Sequence, residues 1–319
     1  MSQNPQRILL FGASGTIGSA TLRELLSRNH EVVCLVRDGS SLPAAEGLDV
    51  RRFDAGQLAN DALLGQSFDA VISCMTSRTG APDDAWAIDY QAHINILEAV
   101  KAASISKMVL LSAICVQKPR LAFQHAKLAF EKALVESGVN YAIVRPTAFF
   151  KSLSGQLDRL RAGKPFLLMG NGRLTACKPI SDGDLARYLV DCLDRPDREN
   201  RILPIGGPGP AITPQEQAEV LFELLGKRPR FRRVPPALFG GMVAALGLAA
   251  RTAPRLAEKA ELARIGQYYA TEPMLLWDEA AGCYDAEATP EFGEEGLFDF
   301  YRELIDGERA VDRSGHEVF

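Results

Sequence analysis

Arg7-Ile-Leu-Leu-Phe-Gly-Ala-Ser-Gly-Thr-Ile-Gly18 is the stretch that decides the fold. Ile8 to Phe11 is an apolar run, long enough for a buried strand and too short for a helix. Gly12, Gly15 and Gly18 follow at three-residue spacing, and an amphipathic helical pattern then begins with Ile17, Leu22, Leu25 and Leu26. A strand, a glycine turn and a helix in that order form a dinucleotide-binding arrangement. Gly12 permits the tight turn, Gly15 lets the backbone approach a pyrophosphate, and Gly18 lets helix and strand pack closely. Ser14, Thr16 and Ile17 lie between them, and the helix start offers free N–H groups to the anion. The spacing is GxxGxxG, not GxGxxG.

Working outward, 319 residues accommodate a nucleotide domain plus a smaller lobe. A net charge of −4 without a basic tract argues against nucleic acid as a partner. The six cysteines are scattered, with no CxxC pair and no His cluster, which fits a reducing compartment and no protein-bound metal. Met-Ser-Gln-Asn-Pro-Gln at the start has no apolar signal core, so a cytoplasmic location is expected. Pro236 to Ala250 is apolar and Gly/Ala-rich but too short to span a bilayer. It is expected to be a buried or interfacial helix, compatible with peripheral membrane contact.

The chain alternates strands and helices, which means a doubly wound parallel α/β sheet of Rossmann type with ligands at the carboxyl ends of its strands. The second strand, Glu31 to Val36, ends at Arg37, and an arginine there suits the 2′-phosphate of NADP, so NADPH is the expected cofactor. A solvated strand-end arginine is the alternative. A third strand, Val50 to Asp54, puts Asp54 within reach of the adenine amino group. The fourth, Asp69 to Ser73, leads into Cys74-Met-Thr-Ser-Arg78, where relatives of this fold pass the cofactor, so Ser73 and Cys74 are candidates. A helix follows with Trp86, Ile88, Tyr90, Ile94, Leu97 and Val100 at its apolar positions. The fifth strand, Lys107 to Leu111, delivers Ser112, and the sixth, Asn140 to Arg145, delivers Pro146.

Between them, Phe123-Gln-His-Ala-Lys127 opens a helix. Short-chain reductases carry Tyr-x-x-x-Lys here, one helical turn apart. Lys127 stands at the lysine position as the candidate catalytic residue and ribose contact. Phe123 replaces the tyrosine, and a phenyl ring cannot give a proton. Phe149 and Phe150 are candidates for an aromatic substrate wall together with Phe123, although adjacent phenylalanines also suit a core. Gly163 to Ser181 reads as a hairpin-like excursion turning at Gly170-Asn-Gly172, and Thr213-Pro-Gln-Glu216 as a capping box. The expected division is a cofactor domain over 1–146 with a returning helix and strand at 181–205. Residues 147–180 and 206–319 would form the substrate lobe.

Ser112-Ala-Ile-Cys-Val-Gln-Lys-Pro119, Phe123 to Lys127, Arg145 to Ser152, Cys177-Lys-Pro-Ile-Ser181 and Leu203 to Pro208 together resemble the NADPH-dependent divinyl chlorophyllide 8-vinyl-reductases. So does Arg264-Ile-Gly-Gln-Tyr-Tyr-Ala-Thr-Glu-Pro-Met-Leu275, continuing to Thr289-Pro290 and Phe298 to Tyr301. The resemblance runs from the glycine loop almost to the C-terminus, and Phe-x-x-x-Lys belongs to the family pattern. It implies reduction of the 8-vinyl group of divinyl chlorophyllide or protochlorophyllide to ethyl, with magnesium arriving inside the substrate. It also implies a setting at or near a photosynthetic membrane. Hydride delivered to the terminal vinyl carbon leaves charge that the macrocycle spreads, so orientation does much of the catalysis. Two other readings stay open at this point. One is an NADPH reductase of another conjugated alkene or quinone, the other a non-catalytic NADP-sensing protein of the same fold.

Overall fold

The structure, a computed structural model, describes residues 5–37, 42–52, 66–253 and 256–309. The chain divides into two units. The first comprises residues 1–77, 82–146 and 182–203, and the second 78–81, 147–181 and 204–319.

The first unit is built on the continuous apolar strands. β1 (Arg7–Phe11), β2 (Glu31–Val36), β3 (Leu48–Arg52), β4 (Ala70–Ser73), β5 (Lys107–Leu111) and β6 (Asn140–Pro146) line up in the order β3-β2-β1-β4-β5-β6. β8 (Arg201–Ile205) completes a seven-stranded sheet at the β6 edge. All pairings from β3 through β6 are parallel. Strand order reverses beside β1, so the carboxyl ends of β1 and β4 open the crevice in which such sheets take ligands. α1 (Thr16–Ser27) and α4 (Asp182–Asp191) pack on each other, with Arg28 bridging to Asp191 at 2.8 Å. α2 (His93–Ala102) and α3 (Ala122–Glu136) also pack together. Leu9, Phe11, Val71, Met108, Phe130 and Ile143 belong to the core of this unit.

Two expectations change here. The third strand begins at Leu48, two residues early, and Asp54 lies outside the described residues. The helix read across Trp86 to Val100 is interrupted: Trp86–Ala92 is a π-helical run leading into α2. The wider turn breaks the 3.6-residue period, leaving Trp86 exposed and turning Asp89 inward.

In the second unit the hairpin expected at 163–181 does not form. β7 (Phe166–Met169) instead pairs in parallel with β9 (Phe231–Val234). Gly170 and Gly172 do take left-handed φ values of 58° and 79°, but the chain beyond them leaves β7, and Cys177 bridges to Ile212 and Met274. A local glycine turn thus stops a strand without specifying its partner. Thr213 caps α5 (Pro214–Leu224): its hydroxyl accepts the Glu216 N–H, and the Glu216 carboxylate accepts the Thr213 N–H. Phe150, Leu157, Phe166, Phe222, Phe300 and Tyr301 belong to a second core.

α6 (Pro236–Thr252) packs along α7 (Ala257–Thr271), and of the two settings expected, buried or interfacial, the buried one does not hold. Val243 is buried, whereas Leu238, Met242 and Leu248 are 68%, 55% and 65% exposed. Among the described residues, α7 covers one line of a surface that is apolar all round. Among the described residues no helix is long and apolar enough to cross a membrane.

Candidate active site

Gly12 leaves β1 with φ +78°, where a side chain is strained, and a Cβ there would lie 2.7 Å from the carbonyl carbon of Cys74. Gly18 is buried, and its Cβ would fall 2.0 Å from the carbonyl oxygen of Gly12. These two glycines are therefore demanded by the protein's own packing. Gly15 differs. It is exposed, caps α1 in an extended conformation, and its Cβ would meet nothing closer than the Gly12 oxygen at 3.4 Å. Ser14 beside it is exposed, Thr16 is half-buried and Ile17 is buried. The backbone is thus open to an anion at the start of α1, as a pyrophosphate requires.

Arg37 is exposed just past β2, and the Arg52 side chain, at the end of β3, donates to its carbonyl oxygen at 3.0 Å. The Val36–Arg52 register brings both guanidinium-bearing residues to the same end of the sheet. Cys74 donates its N–H to Phe11 (3.0 Å), while its thiol is buried against Thr21. Burial pushes that thiol up to about 12, so Cys74 contributes backbone and packing, not a nucleophile.

The polar centre lies between α2, α3 and the ends of β4 and β5. Lys127 forms a 2.9 Å ion pair with Asp89, their side chains 10% and 0% exposed. The Asp89 carboxylate also accepts from the Thr76 hydroxyl at 2.8 Å and the Ser77 N–H at 3.3 Å. Burial alone would raise its pKa; the Lys127 charge and these hydrogen bonds outweigh that and hold it below the usual value. His93 Nδ1 is 2.8 Å from the Ile88 carbonyl, so it carries the proton, and Nε2 accepts from Ser73 at 2.9 Å. Burial, reinforced by the Lys127 charge, depresses His93 to about 4, and it stays neutral at physiological pH. Ser112 donates its hydroxyl to Glu131, which is also clamped by Arg145. A cavity of about 10 Å³, the size of one water, is lined by Asp89, His93, Ser112 and Lys127.

Ser73, Ser112 and Lys127, expected from the sequence at the ends of the central strands and on the following helix, gather around this one cluster. Asp89, His93 and Glu131 were missed. Asp89 sits between Ile88 and Tyr90 in a run read as an apolar helix face, and an acid in that company was the available signal. Glu131 follows Lys127 by four residues, one turn along the same helix. Pro146 ends β6 and is buried. Phe123, on the first turn of α3, is 9% exposed. Phe149 is half-buried and bridges to Ile180. Phe150 is 2% exposed, with its ring tilted against Phe300 at 5.3 Å inside the second core.

A family model described as NAD(P)H-binding matches residues 12–196. The divinyl chlorophyllide a 8-vinyl-reductase of Cucumis sativus is 42% identical over 99% of this chain and 80% of its own length. The Arabidopsis thaliana protein of the same name is 41% identical over 98% and 80%. Among solved structures, the NADPH-dependent quinone oxidoreductase of Escherichia coli bound to NADPH superposes with a TM-score of 0.67. It is 19% identical, covering 93% of this chain and 99% of that one, and so attests the fold alone. At that identity over nearly its whole length, the chain belongs to the divinyl chlorophyllide a 8-vinyl-reductase family of NAD(P)H-binding proteins.

Proposed function

We propose that this protein reduces the 8-vinyl group of divinyl chlorophyllide or protochlorophyllide to ethyl with NADPH. The observation that carries the reading is identity of 41–42% to reductases of that name across nearly the whole chain. The side chains support it. NADPH, when bound, supplies the hydride. The α1 N-terminus and Gly15 take the pyrophosphate, Arg37 the 2′-phosphate, and Lys127 the nicotinamide ribose hydroxyls. Carbonyl reduction needs a hydroxyl donor to the developing oxyanion. Phe123 has no hydroxyl, and Ser112 gives its own to Glu131. A conjugated vinyl group needs no such donor, because the macrocycle holds the charge until water supplies the proton. His93 is committed on both ring nitrogens, Nδ1 to the Ile88 carbonyl and Nε2 to Ser73.

Anaerobic incubation with NADPH and divinyl chlorophyllide should shift the Soret band to the blue, and an unchanged spectrum would overturn the reading. NADH should serve less well. In Arg37→Asp the loss of a charge-assisted phosphate contact should cost roughly 1–3 kcal/mol of that preference. Equal kcat/KM for the two cofactors in the parent would remove the 2′-phosphate role of Arg37.

Peripheral membrane contact through α6 is part of the proposal. The exposed Leu238, Met242 and Leu248 support it, as do the exposed Arg228, Arg230, Arg232 and Arg233 just before them in the chain. Flotation with vesicles containing anionic lipid should carry the parent upward and leave a Leu238→Ser/Met242→Ser/Leu248→Ser variant behind. Equal flotation of both would dismiss α6 as the contact.

A further inference from the structure

We infer that Asp89 is a positioning residue: through its ion pair it aims the Lys127 ammonium at the cofactor's ribose and ties the β4 loop to α3. The inference rests on the reading of Lys127 as the ribose lysine. Lysine has four side-chain torsions and a charge that water would solvate, so burial alone does not fix where its ammonium points. Asp89 does. Its carboxylate is fully buried and meets Lys127 at 2.9 Å. Its other contacts come from Thr76 and Ser77, on the loop after β4. One carboxylate therefore fixes the lysine and the segment that the cofactor is expected to pass.

The backbone shows how an acid reaches this place. Asp89 lies within the π-helical run Trp86–Ala92, and the widened turn places it inward between flanking residues that are not buried. An ammonium has three N–H donors, and the Asp89 contact uses one, which leaves donors for a vicinal diol. The pair is also neutral overall, so Lys127 acts chiefly by geometry. Its loss should appear in cofactor affinity more than in the chemical step.

The test is a double-mutant cycle on NADPH binding, with Asp89→Asn, Lys127→Met and the double variant, each checked by thermal melt and titrated by calorimetry. Asp89→Asn should weaken NADPH binding about tenfold in the parent, and by less than about twofold when Lys127 is already Met, because the two act as one unit. Lys127→Met strands a buried carboxylate, so its melting temperature should fall and recover in the double variant. If it does not fold, Lys127→Gln, which keeps a hydrogen bond to Asp89, replaces it. Equal weakening by Asp89→Asn in both backgrounds would make Asp89 merely structural and overturn the inference, as would no weakening in a folded single variant. Undiminished NADPH binding by a folded Lys127 variant is a different outcome: it would defeat the ribose reading itself.

Discussion

Gly15→Val is expected to fold and to lose NADPH binding, whereas Gly18→Ala is expected not to reach the native fold. The two glycines are three residues apart, and the roles expected of them differ: Gly15 for the pyrophosphate, Gly18 for packing. In the structure a Cβ on Gly18 would stand 2.0 Å from the Gly12 carbonyl oxygen, a backbone atom that cannot move without dragging β1. Overpacking costs about 1–3 kcal/mol even where neighbours can yield, and here they cannot. At Gly15 the nearest atom to a Cβ is 3.4 Å away, and the residue is exposed with φ −81°, so valine meets no strain from the protein. What valine obstructs is the approach of a pyrophosphate to the α1 N-terminus. Loss of roughly 3 kcal/mol of binding, about a hundredfold in Kd, is the expected scale. Calorimetric titration with NADPH beside a thermal melt reads both effects. Undiminished binding by folded Gly15→Val would mean that the phosphate does not approach there.

That asymmetry illustrates how far the residues could be read in advance. The parallel sheet was legible because its central strands are continuous apolar runs, buried on both faces and alternating with helices. The second unit was less so. β7 finds its partner in β9, about sixty residues later, and no local pattern encodes a pairing at that separation. The turn glycines were visible; what lay across from the strand was not. The polar centre was half legible for a related reason. Lys127 stands out by its spacing from Phe123, but its counter-ion sits on a π turn, where a 3.6-residue template assigns the wrong face. α6 shows the opposite limit. Its composition suits a buried or an interfacial helix alike, and only the structure reveals how much of its apolar surface is uncovered among the described residues.

The substitution that separates this site from a carbonyl reductase also gives its sharpest kinetic contrast. Phe123→Tyr restores Tyr-x-x-x-Lys, yet vinyl reduction should stay within about tenfold of the parent, because a ring-delocalised charge has no use for a fixed phenol. The one penalty expected is a buried hydroxyl without a partner, roughly 1–3 kcal/mol of stability, since Phe123 is only 9% exposed. Lys127→Met should be far worse. It keeps the bulk of the side chain while removing the ammonium, and it leaves the Asp89 carboxylate buried without its cation, which costs about 3–5 kcal/mol. For that reason the turnover comparison is cleanest with Lys127→Met/Asp89→Asn, where no charge is stranded. With the ribose no longer gripped, kcat/KM for NADPH should fall by about a hundredfold, chiefly through KM, so that saturating NADPH restores part of the lost rate. A site working by a phenol–lysine acid pair would behave in reverse, gaining from Phe123→Tyr. Steady-state rates on divinyl chlorophyllide across a range of NADPH concentrations distinguish the two. If the Lys127 variants turn over like the parent, Lys127 is a structural lysine and the site lies elsewhere.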